Sequence, residues 1–246
     1  IAAFVFFLLY LLFDKHISFL NLFKFPKFNI DHIRTIVNIS TPILFQSIIG
    51  ISSWFLFFVF IEKLGERSLA ISNLLRVIYL IFTIPSWGYA LSLNSIVSKT
   101  IGRKKEKRVI KLVTHGSILS ILTTALISFP FLFFPSTMMA SLLQGNSQDI
   151  FIDSKAYFPL LFLILLVASY SIIIFNGVSG TGETMKVLKI QIVCSVVYLV
   201  TCYIAILHPT TLGLYGAWGA ELAYWAIQGL LSWFVLQSGK WQFLKF

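Results

Sequence analysis

Arg76 and Glu221 are ionisable side chains set inside long apolar runs of a 246-residue chain, and at mid-bilayer either charge would cost about 2.5 to 3.5 kcal/mol to insert. If both runs are helices entered from the same side, a rise of about 1.5 Å per residue places both charges roughly 12 to 14 Å below that boundary. Matching depth allows an ion pair beside a water-filled cavity, in which Glu221 takes a proton or Arg76 meets an anionic group. It equally allows a permanent structural pair, or an Arg76 that snorkels to the headgroups.

Uncharged polar groups form a second set. Gln46, Gly50 and Ser53 recur at helical spacing, with Ser47 beside them, and so mark one stripe of a helix. Such a stripe serves either close packing through interhelical hydrogen bonds or the wall of a hydrated cavity, and both readings stand. Asn73 and Asn176 are further candidate cavity-lining residues. Pro42, Pro85, Gly88, Gly177 and Gly180 interrupt the apolar runs. A backbone group freed there must be covered by protein or water, so these are expected hinges of moving helices or static kinks and turns.

Several other chemistries are excluded. Gly180-Thr181-Gly182-Glu183-Thr184 lacks the glycine spacing, preceding strand and Lys-Ser/Thr ending of a phosphate-binding loop, and turn chemistry accounts for it. His16, His32, His115 and His208 are scattered, with no nucleophile and carboxylate in a triad-like relation. Cys194 and Cys202 share one predicted helix at about 12 Å separation, beyond disulfide reach. No catalytic residue and no metal-ligand cluster emerges. The chain is therefore not expected to be an enzyme or to hold a cofactor.

The elements that must position these residues follow from composition. Hydrophobic residues make up 58% of the chain and charged residues 11%, with a mean hydropathy of +0.89, a balance that requires lipid as solvent. Crossing roughly 30 Å of hydrocarbon takes about 20 helical residues. Residues 36–61, 68–97, 109–134, 157–175, 187–207 and 213–236 meet that length, so the expected fold is an all-α integral membrane bundle of six spans. Residues 1–13 are apolar but short, without the basic leader or cleavage site of a signal peptide. They read as the end of a preceding helix, with further residues expected before Ile1.

Charge orients the bundle. Of 19 Lys and Arg residues, fifteen fall on one set of alternating connections, the densest being the segment 99–111, and only Lys63, Arg67 and Lys155 fall on the other. By the positive-inside rule the rich side is cytoplasmic, and the C-terminus lies there too. The basic run serves as a topology anchor or as a patch for anionic lipid headgroups, with no call for nucleic acid. Residues 14–35 interleave phenylalanines with lysines around Pro26 and read as a cytoplasmic linker between membrane halves or an interfacial loop. Residues 36–239 form the six-helix lobe, and 240–246 a cytoplasmic tail.

In order along the chain, four segments resemble one family. They are Thr41-Pro42-Ile43-Leu44-Phe45-Gln46 leading to Leu64-Gly65-Glu66-Arg67-Ser68, then Pro85 and Gly88 closed by Ser95-Ile96-Val97-Ser98-Lys99-Thr100-Ile101-Gly102 before the basic loop. Asn176-Gly177-Val178-Ser179-Gly180-Thr181-Gly182 and Gly213-Leu214-Tyr215-Gly216-Ala217-Trp218-Gly219-Ala220 follow. Together they resemble the C-terminal six-helix half of the multidrug and toxic compound extrusion (MATE) transporters. That resemblance implies a missing N-terminal six-helix lobe upstream and a secondary antiporter in the cell membrane. It would export amphipathic, often cationic compounds by alternating access, in exchange for Na+ or H+. Many members carry acidic residues at places that fall near Gly50 and Ala168 here, neither of which is acidic, so the cation site is expected elsewhere, with Glu221 a candidate. The other readings are a flippase for lipid-linked oligosaccharides in the same superfamily, a membrane-embedded transferase, and a scaffold without transport.

Overall fold

The computed structural model describes residues 29–135, 147–209 and 212–243. The expected helix at 1–13, most of the 14–35 linker and the last residues of the tail lie outside the described residues. The chain divides into two units, Ile1–Asn38 and Ile39–Phe246, the second holding the bundle.

Six long helices account for the six expected spans. They are α1 (Ile30–Glu62), α2 (Glu66–Gly102), α3 (Val109–Phe133), α5 (Phe158–Gly180), α6 (Thr184–Leu207) and α7 (Gly213–Gln237), with a short α4 (Ser147–Ser154) leading into α5. All but α7 are long and apolar enough to cross a membrane by length and composition. The α7 helix has 25 residues, and its lower hydropathy follows from the glycines, aromatic rings, Glu221 and Gln228 it carries in place of aliphatic side chains.

Three boundaries differ from the sequence expectation by five residues or more, one being the end of α2, which runs to Gly102 rather than 97. Helix α1 begins at Ile30, so part of the stretch assigned to the linker is already helical. Helix α5 continues to Gly180 rather than ending near 175, because its polar and glycine-rich last turns still pack against other helices. Helix α4 was not expected, because it is only eight residues long and carries Ser147, Gln148, Asp149, Asp153 and Ser154. It is held by Phe151 against Phe158, ring centroids 5.9 Å apart, and by an ion pair between Arg67 and Asp153.

Helix α5 is the centre. In its most apolar stretch the span that includes it is 67% buried, against 11% for α1, and it packs along α7, α2 and α3. Further close seams join α6 to α7 and α2 to α3. Small residues permit these approaches, as expected where lipid removes the hydrophobic drive between helices. A Cβ at Gly180 would lie 2.8 Å from the Asn94 carbonyl oxygen, and one at Gly177 2.8 Å from a Val113 methyl. Hydroxyls add interhelical bonds: Ser98 Oγ donates to the Gly180 carbonyl at 2.9 Å, and Ser171 Oγ to the Trp225 carbonyl at 2.6 Å. Ser86 and Thr124, both buried, join α2 to α3 at 3.0 Å. Gly177 and Gly180 thus act as close-packing positions inside an unbroken helix. The reversal into α6 falls at Gly182, whose φ of 85° suits a residue without a Cβ.

Helix α1 takes part in none of these close seams. It meets the bundle through large side chains near its C-terminal end: the Phe57 ring stacks on Tyr198 at 5.6 Å and stands edge-on to Trp218 at 5.6 Å. Phe57 is 1% exposed and Trp218 2%, so this contact is sealed. Trp218 Nε1 donates to Ser72 Oγ of α2 at 3.2 Å, tying three helices at one end of the bundle. Pro42 and Pro85 both lie inside continuous helices.

Candidate functional site

The stand-off of α1 leaves a cavity of about 510 Å³ between it and α2, α5, α6 and α7, a size ordinary for a small-molecule site. Its α1 wall is the stripe Gln46, Ser47, Gly50 and Ser53, followed by Trp54. The two serines satisfy their own hydroxyls on this helix, Ser47 Oγ donating to the Ile43 carbonyl at 3.0 Å and Ser53 Oγ to the Ile49 carbonyl at 2.7 Å. Gly50 faces Gln191, whose Nε2 would lie 3.4 Å from an added Cβ.

The facing walls supply Tyr79, Trp87 and Asn94 from α2, Phe175, Asn176 and Ser179 from α5, Gln191 and Tyr198 from α6, and Glu221, Tyr224, Trp225 and Gln228 from α7. Asn176 Nδ2 donates to its own helix, at 2.9 Å from the Ile172 carbonyl. Counting helical rise from the α1–α2 turn and the start of α7, the lining begins about 12 Å below that end and reaches Ser179 in the last turn of α5. The Phe57, Trp218 and Tyr198 rings close the first part. Beyond those rings the lining continues to Ser179, on the side of the bundle that carries the basic α2–α3 connection.

Glu221 lies at the closed end of the cavity, 5% exposed, and Trp225 Nε1 donates to its Oε1 at 2.9 Å. Among the described residues that line the cavity there is no Lys or Arg, and Glu221 is the one carboxylate. The rest of the wall is aromatic rings, amides, serines and aliphatic side chains such as Ile43, Leu80 and Ile172. The geometry thus offers a single buried carboxyl group beside aromatic faces, an arrangement that attracts cations when the carboxyl is ionised.

Arg76 does not pair with Glu221. Its guanidinium stacks on Trp54 and on Phe58, 4.9 Å from each ring centroid, and the ion pairs among the described residues are Arg67 with Asp153 and Lys186 with Glu183. Equal depth was the basis for expecting the pair, but depth says nothing about direction around the helix. Arg76 points toward the rings of α1, so Trp54 and not the guanidinium stands on the cavity wall. Asn73 is exposed and does not line the cavity either. Gly88 is exposed with open space around its Cα. Ala168, at the place of an expected acidic residue, is fully buried in the core.

A polar cluster that the sequence reading did not single out joins α6 to α7. Gln191 Nε2 donates to Ser195 Oγ at 3.1 Å and lies 3.0 Å from the Tyr224 hydroxyl. Gln228 Nε2 donates to Gln191 Oε1 at 3.3 Å and to the Tyr224 hydroxyl at 3.1 Å. The available signal was two amides inside apolar spans, each with a polar partner four residues along its own helix.

Among the described residues no three His, Cys, Asp or Glu side chains gather as metal ligands. No curated protein matches the chain. The MatE family model matches residues 42–204, well over half of the chain and every helix from Pro42 of α1 to the last turn of α6. With a bundle of apolar helices around an internal cavity, this multi-pass membrane protein belongs to the MatE family of transporters.

Proposed function

We propose that the chain forms one lobe of a secondary antiporter that exports amphipathic, often cationic compounds in exchange for Na+ or H+. The observation that carries this reading is the cavity lining: Glu221 among aromatic, aliphatic and uncharged polar side chains, without a Lys or Arg among the described lining residues. An organic cation gains from both the carboxylate and the ring faces. A lipid-linked pyrophosphate would instead need cationic donors, and Arg76, the residue best placed to supply one, is stacked away on Trp54 and Phe58.

In this reading the N-terminal lobe supplies the opposite wall of a central cleft, and the lobes rock to expose it alternately. The present cavity, closed at the α1–α2 turn and open toward the basic connection, is the inward-facing state, with the C-terminus in the cytoplasm of the cell membrane. Glu221 is the coupling group: cation entry at its carboxyl and substrate binding exclude each other because the site has one negative charge to offer.

Proteoliposomes loaded with tetraphenylphosphonium test this. An imposed Na+ or H+ gradient is expected to accelerate its counter-movement at least fivefold over vesicles without a gradient. Movement of a fluorescent lipid-linked oligosaccharide in place of the phosphonium would favour the flippase, and no flux of either by the protein carrying both lobes would favour a scaffold.

A further inference from the structure

The connection between α2 and α3 carries its positive charge in a way that orientation alone does not ask for. From Lys99 to Lys111 seven Lys and Arg side chains stand exposed around a single acid, Glu106. None of the seven enters the ion pairs among the described residues, which join Arg67 to Asp153 and Lys186 to Glu183, and none lines the cavity. Fixing the side of the membrane needs only an excess of such charges there. It does not need them at positions the fold disfavours.

Three of them occupy such positions. Lys104 closes the C-terminal end of α2, its N–H bonded to the Ile101 carbonyl at 2.8 Å while the Lys105 N–H reaches the Thr100 carbonyl at 3.1 Å. It does so at a φ of 57°, the left-handed conformation that glycine ordinarily supplies at this place. Arg108 immediately precedes α3, and Lys111 lies in the first turn of that helix, which holds no acidic residue. Both cations are therefore set against the positive end of the helix dipole. An anion held among them offsets these costs.

The cations also stand where a lipid phosphate would be met. On α2 the exposed Ile96 precedes Lys99 by about one turn, and on α3 the exposed Ile118 and Leu119 follow Lys111 by about two. Exposed aliphatic surface gives way to cations within a turn or two on both helices, as expected at the edge between hydrocarbon and headgroups.

We propose that the α2–α3 connection is a binding site for the headgroup of an anionic phospholipid in the leaflet at that end of the bundle, with Lys104 and Arg108 among the groups that receive its phosphate. The site is separate from the cavity and does not depend on what the cavity carries.

Native mass spectrometry of the full chain in a neutral detergent counts bound lipids one by one, and phosphatidylglycerol and phosphatidylcholine with the same acyl chains are the probes. The first phosphatidylglycerol is expected to bind roughly thirtyfold more tightly than the first phosphatidylcholine, the worth of about two cations at an anionic surface. Lys104→Gly should lower the phosphatidylglycerol affinity about fivefold, one cation's worth, and leave phosphatidylcholine unaffected. Its thermal unfolding midpoint should hold or rise, because glycine relieves the left-handed residue, so the loss is not one of folding. Lys186→Gln removes one positive charge at the same end of the bundle, but one already met by Glu183, and should leave both affinities nearly unchanged. Equal affinity of the wild type for the two lipids, or an undiminished preference in Lys104→Gly, would overturn the site. An equal loss in both variants would reduce it to diffuse charge, and displacement of the lipid by excess inorganic phosphate at constant ionic strength would reassign it to a free anion; either result overturns the proposal.

Discussion

Replacing Glu221 by Gln is expected to lower the affinity for tetraphenylphosphonium by about tenfold to a hundredfold, the loss of one charge-assisted contact in a dry site, and to abolish gradient-driven exchange. The substitution keeps the shape of the side chain and an oxygen for Trp225 Nε1, which donates at 2.9 Å. Folding should therefore survive, and the effect should belong to the charge. With no Lys or Arg among the described lining residues, removing the carboxylate leaves a neutral aromatic pocket. Equilibrium binding and vesicle counter-flow on the same preparation check this. Unchanged exchange in the variant would remove Glu221 from coupling.

The largest effect on stability is expected at Gly180. An added Cβ would meet the Asn94 carbonyl oxygen at 2.8 Å and the Val97 Cβ at 3.1 Å, and both belong to rigid helix rather than to flexible side-chain ends. Gly180→Ala must push α5 from α2 and stretch the bond from Ser98 Oγ to the Gly180 carbonyl, at a cost of about 1 to 3 kcal/mol, in the range of overpacked cores. The same substitution at Gly88, where nothing lies within 4 Å of the added atom, is the control. It should be neutral or slightly stabilising, since Ala is the better helix former. Thermal unfolding in detergent should fall by several degrees for the first and hold for the second. A comparable fall in both would point to a general helix effect instead of the α2–α5 contact.

The fold was largely legible because length and apolarity are what a bilayer demands of a helix, and the observed helices follow the expected spans closely. The stripe of Gln46, Gly50 and Ser53 was legible as a face, since helical spacing defines one. What that face opposes required the packing: α1 makes no close seam with the other helices, Gly50 faces Gln191, and the cavity lies along that face. Arg76 shows the limit of such reading. Its depth was inferable from residue count, but its direction depended on Trp54 and Phe58 in another helix. The Gln191, Tyr224 and Gln228 cluster was hidden for the same reason, since two of its members lie on α7 and one on α6, and only the α6–α7 seam brings them together.

The central claim is that the cavity opens at the end bearing the basic α2–α3 connection and is sealed at the α1–α2 turn by Phe57, Tyr198 and Trp218. Cysteine labelling with a membrane-impermeant maleimide tests it most directly. Cys194 and Cys202 are fully buried and should give little background. A cysteine at Ser179, on the cavity wall near the open end, is expected to react from the side of the basic connection and not from the other. A cysteine at Ser72, beneath Trp218 Nε1, should be protected from both. Labelling of Ser179→Cys from the side of the α1–α2 turn, with protection from the basic side, would contradict the account.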